Sequence, residues 1–413
     1  MNHESIRLDF EKQLTQELYD QFDAGIISGL LKEAKIEQDQ THLKALLDGN
    51  SFKISAAMFS KMHRLCQEVL SALDFHEKVD FYISNNMEIN CYAIYNENHQ
   101  NHIVIINSPI VEKFDDDEIK FILGHEIGHL ISENAKLRRI INYVYPDYAN
   151  APLIFKNKID LWEKLSELTA DRFGYIASPN FEKCVTNFFK LSSGLNLDKL
   201  EFNSKSYLLE IDAIIKNMQE NPVNIVTSHP INPIRIKALD LFRNSRLYKN
   251  IDNADVEKDE TLSNNMVEYL SLLIQAGSSG LDYYRKNFLA AGGLIIASAD
   301  QRIDDIESNK IITTLAGYTV FSKEFYYEMW NSEKDLQVVF EEAINTILSV
   351  NPGERHIMFS YLVELAISDN EIFKTETDLL FIIGEQYFNF ERKEIAQMIT
   401  NEIRSRYVPK ILK

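Results

Sequence analysis

The order of apolar and polar residues in the first part of the chain changes from helical to extended spacing. Between Ala56 and Leu73, apolar side chains recur on one helical face, which predicts a helix, at positions 58, 62, 65, 66, 69, 70 and 73. Three runs rich in Ile, Val, Tyr and Phe then predict strands at Val79–Ser84, Asn90–Tyr95 and Ile103–Asn107. The turn-like residues 96–101 predict that the last two strands form a hairpin.

Two strongly patterned helices follow the strands. Asp115 with Glu118 three residues later is typical of a helix N-terminus, because the first carboxylate caps the helix and the second closes a capping box. The buried stripe of this helix is predicted to be Ile119, Ile122, Leu123, Ile127, Leu130 and Ile131. A second helix is predicted from about Ile159 to Ala177, and further helices over 180–220 and near Ile234.

The pattern changes again after residue 248. Residues 249–261 are polar and aperiodic, as linkers are, and residues 262–413 have helical spacing almost throughout. We therefore predict an α+β, mainly helical domain with a small β-sheet over residues 1–248 and an all-α domain over 262–413.

The all-α part contains an internal repeat that predicts a duplicated helix–loop–helix unit. Ala297, Asp300, Ile303 and Glu307 recur with the same spacing as Ala366, Asp369, Ile372 and Glu376. Two interpretations remain open for the acids. They gather a divalent cation, or each Asp caps a helix whose capping box the Glu closes.

The composition of the chain limits its possible binding partners and its cellular location. The chain has 413 residues and a net charge of −19, and such a field repels phosphate backbones, so we expect no nucleic-acid partner. Three cysteines without a C-x-x-C pair predict reduced thiols. No apolar run is long enough for membrane insertion, and the N-terminus has no apolar signal region, so we expect a cytoplasmic location.

The first strongly patterned helix contains the sequence His125-Glu126-Ile127-Gly128-His129. Two histidines four residues apart lie on one helix face, where their imidazoles can converge on a zinc ion. The Glu after the first His can act as general base toward a water. A zinc site needs a third protein ligand. The second helix offers Glu163, Glu167 and Asp171, a stripe that alternatively forms an exposed acidic face.

These residues resemble the HtpX-like and CaaX-endoprotease family of zinc gluzincins. Glu167-Leu168-Thr169-Ala170-Asp171 is similar to the family's E-x-x-A-D, and Asn90-Cys91-Tyr92-Ala93 is similar to its N-A-[FY]-A edge strand. Ser228-His229-Pro230 with Arg235 resembles its T-H-P-x-x-x-x-R segment. The chain most resembles the soluble members of the family.

The resemblance implies a role for each matching residue. His125, His129 and Glu167 would hold Zn²⁺, Glu126 would activate water, and Asp171 would support the ligands. His229 and Arg235 would line the substrate cleft. Asn90, Cys91, Tyr92 and Ala93 would pair with an extended peptide or protein substrate. Cys91 stands where the family has a small residue, which alters the shape of this cleft.

The repeat in the all-α domain resembles the TerB-like helical module, where A-D-G-x-[IV]-x-x-x-E occurs, although Gln301 and Asn370 replace the Gly. We therefore expect a zinc metalloendopeptidase domain followed by a helical domain that binds a regulatory partner. The alternative is a catalytically latent, zinc-stabilised scaffold. The sequence does not indicate the substrate, the cleavage preference or the oligomeric state.

Overall fold

The computed structural model describes residues 1–33, 40–96, 101–148, 151–195, 202–220, 229–251, 259–274, 280–299, 303–369 and 373–406. The chain forms two compact units. Unit 1 contains residues 1–151 and 159–273, and unit 2 contains residues 152–158 and 274–413. Most of the predicted linker, residues 252–258, lies outside the described residues, so its bounds stay a prediction.

Unit 1 is mainly helical and holds all the strands of the described chain. Its elements are α1 (His3–Ile6), α2 (Asp9–Gln21), α3 (Ala24–Glu33), α4 (Gln40–Asn50), β1 (Phe52–Lys53), α5 (Ser60–Ala72), β2 (Val79–Ser84), β3 (Cys91–Ile94), β4 (His102–Asn107), α6 (Ser108–Lys113), α7 (Asp116–Ile131), α8 (Asn134–Val144), most of α9 (Leu153–Ala177), α10 (Phe181–Ser193), α11 (Ser204–Glu220), α12 (Asn232–Asn244), α13 (Arg246–Lys249), α14 (Glu260–Leu270) and a 3₁₀ turn at Ser271–Leu273. The predicted α+β, mainly helical class is thus confirmed.

The strands form one mixed sheet in the order β1-β2-β4-β3. β2 and β4 are parallel, with Val79 opposite His102, and β3 runs antiparallel to β4, with Cys91 opposite Ile106. The antiparallel pair confirms the predicted hairpin, although its residues 97–100 lie outside the described chain. Every residue of β4 is buried. β3 therefore forms an edge of the sheet beside its central strand.

The predicted helix over 56–73 is confirmed in part. α5 begins at Ser60, and Met62, Leu65 and Val69 on its inner face are buried. The prediction is wrong for Met58, which lies before the helix and is 63% exposed. The backbone turns there, since the N–H of Phe59 donates to the carbonyl of Ser55 and no helix has yet begun.

α9 begins at Leu153, earlier than the pattern predicts, and ends at Ala177 as predicted. Its first residues belong to unit 2, where Ile154 packs on the hydrophobic core and Asn157 donates to the carbonyl of Ala316. From Ile159 onward the helix belongs to unit 1. Polar residues at positions 156–158 interrupt the apolar pattern between these parts, so the first turn is not included in the predicted helix.

Unit 2 is an assembly of helices around an aromatic and aliphatic core. Its remaining elements are α15 (Gly280–Ala297), α16 (Asp305–Leu315), α17 (Ser322–Trp330), α18 (Leu336–Val350), a 3₁₀ turn at Pro352–Glu354, α19 (Arg355–Ala366), α20 (Lys374–Gln386) and α21 (Arg392–Arg406). Phe288, Phe340 and Phe359 are among its fully buried side chains. The all-helical character predicted for this part of the chain is confirmed for the described residues.

Each copy of the internal repeat runs from the end of one helix to the start of the next, from α15 to α16 and from α19 to α20. Glu307 closes a capping box with Asp304 on α16, and the Glu376 carboxylate accepts from the backbone N–H of Phe373 at the start of α20. The capping interpretation is therefore supported for both glutamates. The caps themselves differ from the predicted Asp300 and Asp369, because Asp304 and Phe373 precede these helices. Asp300, Gln301, Asn370 and Ile372 lie outside the described residues.

In the described part of the chain, every helix is too short or too polar to cross a membrane.

Candidate metal centre

α7 carries the two histidines on a helix that is fixed firmly at its start. Asp115 accepts from the backbone N–H groups of Asp117 and Glu118, and Glu118 closes the predicted capping box. The Glu118 side chain is also buried against Lys190 of α10, whose Nζ lies 2.8 Å from its Oε2. This cap and buried ion pair hold the helix, while its spacing directs His125 and His129 to the same side.

Three glycines allow α7 and α9 to pack unusually closely. A Cβ on Gly124 would lie 2.5 Å from the Cβ of Ala177, and one on Gly128 would lie 3.2 Å from the Cα of Ala170. On α9, a Cβ on Gly174 would lie 2.9 Å from a backbone oxygen of α7. At these three positions only glycine lets the two backbones approach so closely. The close approach brings side chains of α9 within reach of the histidines.

Three potential metal ligands converge where these helices meet. The Nε2 of His125 lies 3.3 Å from Glu167 Oε2, and the Nε2 of His129 lies 3.4 Å from Glu167 Oε1. The two Nε2 atoms are 3.2 Å apart. One donor atom from each of the three residues lies within 4.8 Å of the others. Two imidazoles and one carboxylate form a donor set that suits Zn²⁺, so the residues fit a metal ion.

Asp171 lies behind His125, one turn after Glu167. Its Oδ1 is 3.0 Å from His125 Nδ1, and the guanidinium of Arg235 on α12 donates to both carboxylate oxygens, at 2.8 and 2.6 Å. Arg235 also stacks on the ring of Phe188. A carboxylate at Nδ1 keeps the proton there and leaves Nε2 directed at the other two ligands.

The charges of this group hold one another in their ionised forms. Burial by itself lowers the pKa of His125, but hydrogen bonds donated by its ring to the Asp171 and Glu167 carboxylates outweigh this effect and raise the pKa to about 10. Burial tends to raise the pKa values of Glu167 and Asp171, yet their cationic partners hold them below the ordinary range. Binding of a metal ion by these residues would therefore displace a proton from His125.

Glu126 is buried between the histidines and the edge strand. Burial raises its pKa above the ordinary range, while the charges of His125 and His129 and a hydrogen bond from the backbone N–H of Ala93 oppose the rise. Cys91 of the same strand is buried, and burial together with the Glu126 charge raises the pKa of its thiol. The edge strand β3 thus lies directly beside the candidate base.

The remaining predicted residues differ in accessibility. Asn90 and Tyr92 are exposed on or next to β3. The His229 side chain is 59% exposed, and its Nε2 lies 3.6 Å from Glu167 Oε2. Arg235 is buried, and its contacts are with the carboxylates of α9. His229 therefore faces solvent beside the ligands, whereas Arg235 lies behind them.

The acids of α9 have different surroundings, and one residue near the ligands was missed by sequence reasoning. Glu163 is held by Arg138 of α8, at 3.2 Å, outside the ligand group. The stripe on α9 is not an exposed acidic face, because Glu167 and Asp171 are buried. Sequence reasoning missed Asn134, whose Nδ2 lies 3.4 Å from His129 Nδ1. Ser228 lies outside the described residues.

The sequence around the two histidines is similar to that of a known protein family. The sequence profile of peptidase family M48 matches residues 56–151, which include His125, Glu126 and His129. This part of the chain is therefore similar to peptidase family M48. The M48 match ends before α9, so Glu167, Asp171, His229 and Arg235 lie beyond it.

Individual relatives are distant. The chain is 24% identical over 217 residues to a plastoglobule-localized chloroplastic metallopeptidase of Arabidopsis thaliana, covering 49% of this chain and 62% of that protein. It is 28% identical over 104 residues to a protease HtpX homolog of Helicobacter pylori, covering 24% of this chain and 33% of that protein. The chain thus spans less than two thirds of the length of these relatives. No solved structure matches it.

Proposed function

We propose that this chain is a zinc-dependent endopeptidase that hydrolyses peptide bonds of soluble or unfolded proteins. The observation that carries the proposal is the convergence of His125, His129 and Glu167 beside the buried carboxylate of Glu126. The M48 match and the distant metallopeptidase relatives support the same class of reaction.

The chain's own residues would hold Zn²⁺ through the Nε2 atoms of His125 and His129 and the carboxylate of Glu167. When bound in such a site, zinc acts as a Lewis acid that polarises a carbonyl and increases the acidity of water. Asp171 fixes the His125 ring through Nδ1, and Arg235 in turn holds Asp171 by two hydrogen bonds. These contacts set the ligand geometry before any substrate binds.

Glu126 has the surroundings of a general base. Its carboxylate lies among the ligands without being one of them, and burial raises its pKa, so it accepts a proton more readily than an exposed glutamate. We assign it the transfer of a proton from the attacking water to the leaving amine. The rise in pKa lets the same group hold that proton between the two steps.

β3 is the proposed docking strand for the substrate. Within the described chain it pairs with β4 on one side only, and an extended peptide can add to an open strand edge through backbone hydrogen bonds. The exposed residues Asn90 and Tyr92 would contact substrate side chains, and the buried Cys91 would shape the floor. The His229 ring is desolvated on the side that faces the ligands, which lowers its pKa although its other side is exposed, and it would line the cleft as a neutral ring.

For unit 2 we propose a TerB-like domain that binds a regulatory partner. Its support is the repeated helix–loop–helix with a capping glutamate in each copy. We further propose a cytoplasmic location, which the three buried free cysteines support because reduced thiols persist there.

Hydrolysis of casein and of a fluorogenic peptide by the purified full-length chain tests the proposed function. We expect turnover that stops with a chelator and returns with Zn²⁺. Glu126→Gln should keep the metal but lose about 10²–10⁴-fold in rate, because it removes the base and leaves the ligands. Glu163→Gln is the matched control on α9 and should keep both metal and rate.

Two outcomes would contradict the proposal. Hydrolysis that continues in the chelator or in Glu126→Gln would mean that the reaction uses other residues. A full zinc content without turnover on either substrate would favour the latent scaffold instead.

A further inference from the structure

The amide of Asn134 is a buried polar group next to a metal-ligand histidine. Asn134 is 5% exposed, its Nδ2 lies 3.4 Å from His129 Nδ1, and its Oδ1 has no hydrogen-bond partner among the described residues. A buried amide oxygen without a donor costs about 1–3 kcal/mol. The side chain therefore has an unused acceptor close to a ring nitrogen.

The direction of the His129 ring decides which end of this amide should face it. Its Nε2 points at His125 and Glu167, so ligation through Nε2 leaves the proton on Nδ1. An N–H at that position needs an acceptor, and the amide NH₂ cannot be one. The oxygen and nitrogen ends of an amide have nearly the same shape, and hydrogen bonding alone selects between them.

We propose that Asn134 is a positioning residue of the metal site. Its amide oxygen accepts a hydrogen bond from His129 Nδ1–H and holds the ring with Nε2 directed at the metal. A half-turn of the amide about its last bond gives the buried Oδ1 its donor. This inference rests on the metal site of the proposed function and adds to it the residue that orients the second histidine.

The turn after α7 explains why a residue so near in sequence can reach back. α7 ends at Ile131, and Glu133 adopts a left-handed conformation with φ of 51°. The backbone N–H of Glu133 donates to the carbonyl of Leu130, and α8 begins at Asn134. The reversal returns the Asn134 side chain to the level of His129.

The two histidines would then be oriented by different chemical groups. His125 has a carboxylate, Asp171, whose charge is balanced by Arg235. His129 has a neutral amide, which fixes the ring proton without adding another negative charge near Glu126. Supporting groups of this kind typically change metal affinity by 10–100-fold when removed.

The test compares Zn²⁺ affinity in full-length variants by competition with a chelating dye. Asn134→Leu removes the acceptor and should raise the zinc dissociation constant by about 10–100-fold. Asn134→Asp keeps an acceptor and should remain within about threefold of the parent or bind more tightly. Asn142→Leu is the matched control, since Asn142 is an exposed residue of the same helix, and should leave the constant unchanged.

Nitrogen NMR of the zinc-loaded parent with labelled histidine gives a second readout. We expect the His129 proton on Nδ1, with a resonance that moves in Asn134→Asp and not in Asn142→Leu. A proton on Nε2 would overturn the proposal even if Asn134→Leu failed to fold.

A folded Asn134→Leu chain with the parent's zinc affinity would overturn it equally. A parent chain that binds no zinc would overturn the proposed function together with this inference. Normal zinc binding by the parent and by Asn134→Leu would instead remove the role of Asn134 alone.

Discussion

A Cβ atom on Gly128 of α7 would lie only 2.9 Å from the Cβ of Phe173 on α9. Real Cβ atoms do not approach so closely, and the nearby backbone of Ala170 leaves no room for a shift. Ala170 on α9 is small, and the opposite helix carries no side chain at the same level. Ligand geometry at this centre is therefore set by two small residues facing each other.

We predict that Gly128→Ala destabilises the chain by about 1–3 kcal/mol, because overpacking forces neighbouring groups apart. It should also weaken zinc binding, since α9 carries Glu167 and moves away from His125 and His129. Thermal unfolding and zinc competition measure the two effects. Gly29→Ala on α3 is the control, because a Cβ there meets nothing within 4 Å and alanine favours helix. If Gly128→Ala were as stable as the parent, the two helices could move apart without a loss of free energy of unfolding.

A second prediction concerns the choice among the acids of α9. Glu167→Ala should release the metal, because it removes a donor that lies 3.3 and 3.4 Å from the two imidazoles. Glu163→Ala should keep it, because Glu163 pairs with Arg138 on the neighbouring helix. Elemental analysis of the two purified variants decides the question. The reverse pattern of zinc contents would move the ligand one turn toward the N-terminus.

Metal binding should release protons at neutral pH. The pKa of His125 is raised to about 10 in the metal-free chain, so the ring is protonated at pH 7.5 and must lose its proton to bind a metal. Calorimetric titration with Zn²⁺ in buffers of different ionisation enthalpy should give a release of about one proton or more. Affinity should accordingly rise with pH up to about 10. Asp171→Asn should reduce the release, and a slope of zero in the parent would contradict the prediction.

Arg235→Met should be among the most damaging single substitutions in unit 1. It leaves Asp171 buried without its cation, and breaking a buried ion pair in this way costs about 3–5 kcal/mol. Arg243→Met is the matched control on α12, because its ion pair with Asp240 is partly exposed. Denaturant unfolding of the metal-loaded variants at pH 7 measures both. If Arg235→Met lost no more free energy of unfolding than the control, other groups would have to stabilise the charge of Asp171.

Arg235→Met should also change the pH at which the chain unfolds in acid. Burial raises the pKa of Asp171, but Arg235 and His125 hold it below its ordinary 3.8. Its contribution is therefore complete above pH 3.8 and is lost as the pH falls through the lower folded-state pKa. Without Arg235 the pKa rises, so the loss begins at a higher pH. Acid unfolding of Arg235→Met should have a higher midpoint than that of the parent.

A chain that ends at Leu273 should stay folded and bind zinc, whereas one that ends at Asn250 should not. α14 packs on α12, and its residues Leu262 and Met266 are buried. Ser263 of the same helix also donates to Asp9. Each lost apolar side chain costs about 2–5 kcal/mol against a total of about 5–15 kcal/mol. Circular dichroism and zinc content of the two truncations test this, and a stable shorter chain would support the boundary predicted at residue 248.

Local signals predicted the parts of this molecule that local physics controls. The capping box of Asp115 and Glu118 was predicted because two residues only three positions apart supply both of its hydrogen bonds. The face shared by His125 and His129 follows from helical spacing alone. The three strands were readable as short β-branched runs, and their predicted bounds agree with the structure within about two residues.

Contacts between segments that are far apart in the sequence could not be predicted from local sequence patterns. The burial of Glu118 depends on Lys190, and the role of Arg235 behind Asp171 depends on how α12 packs. Asn134 is only five residues from His129, but the left-handed turn at Glu133 that brings it back has no reliable local signature in a glutamate. The parallel pairing of β2 with β4 likewise depends on the chain between them.

The division of α9 between the two compact units has a consequence for the order in which the protein is made. Residues 152–158 leave the ribosome about a hundred residues before the rest of unit 2. Unit 1 can complete its helix from Ile159 onward before the rest of unit 2 is synthesised. During that time Ile154 lacks the core residues of unit 2 on which it packs. A nascent chain should therefore acquire the metal-binding unit first, with one apolar turn left uncovered. Chaperones that recognise short apolar segments would find that turn during this interval, and slow translation after residue 273 would prolong its exposure.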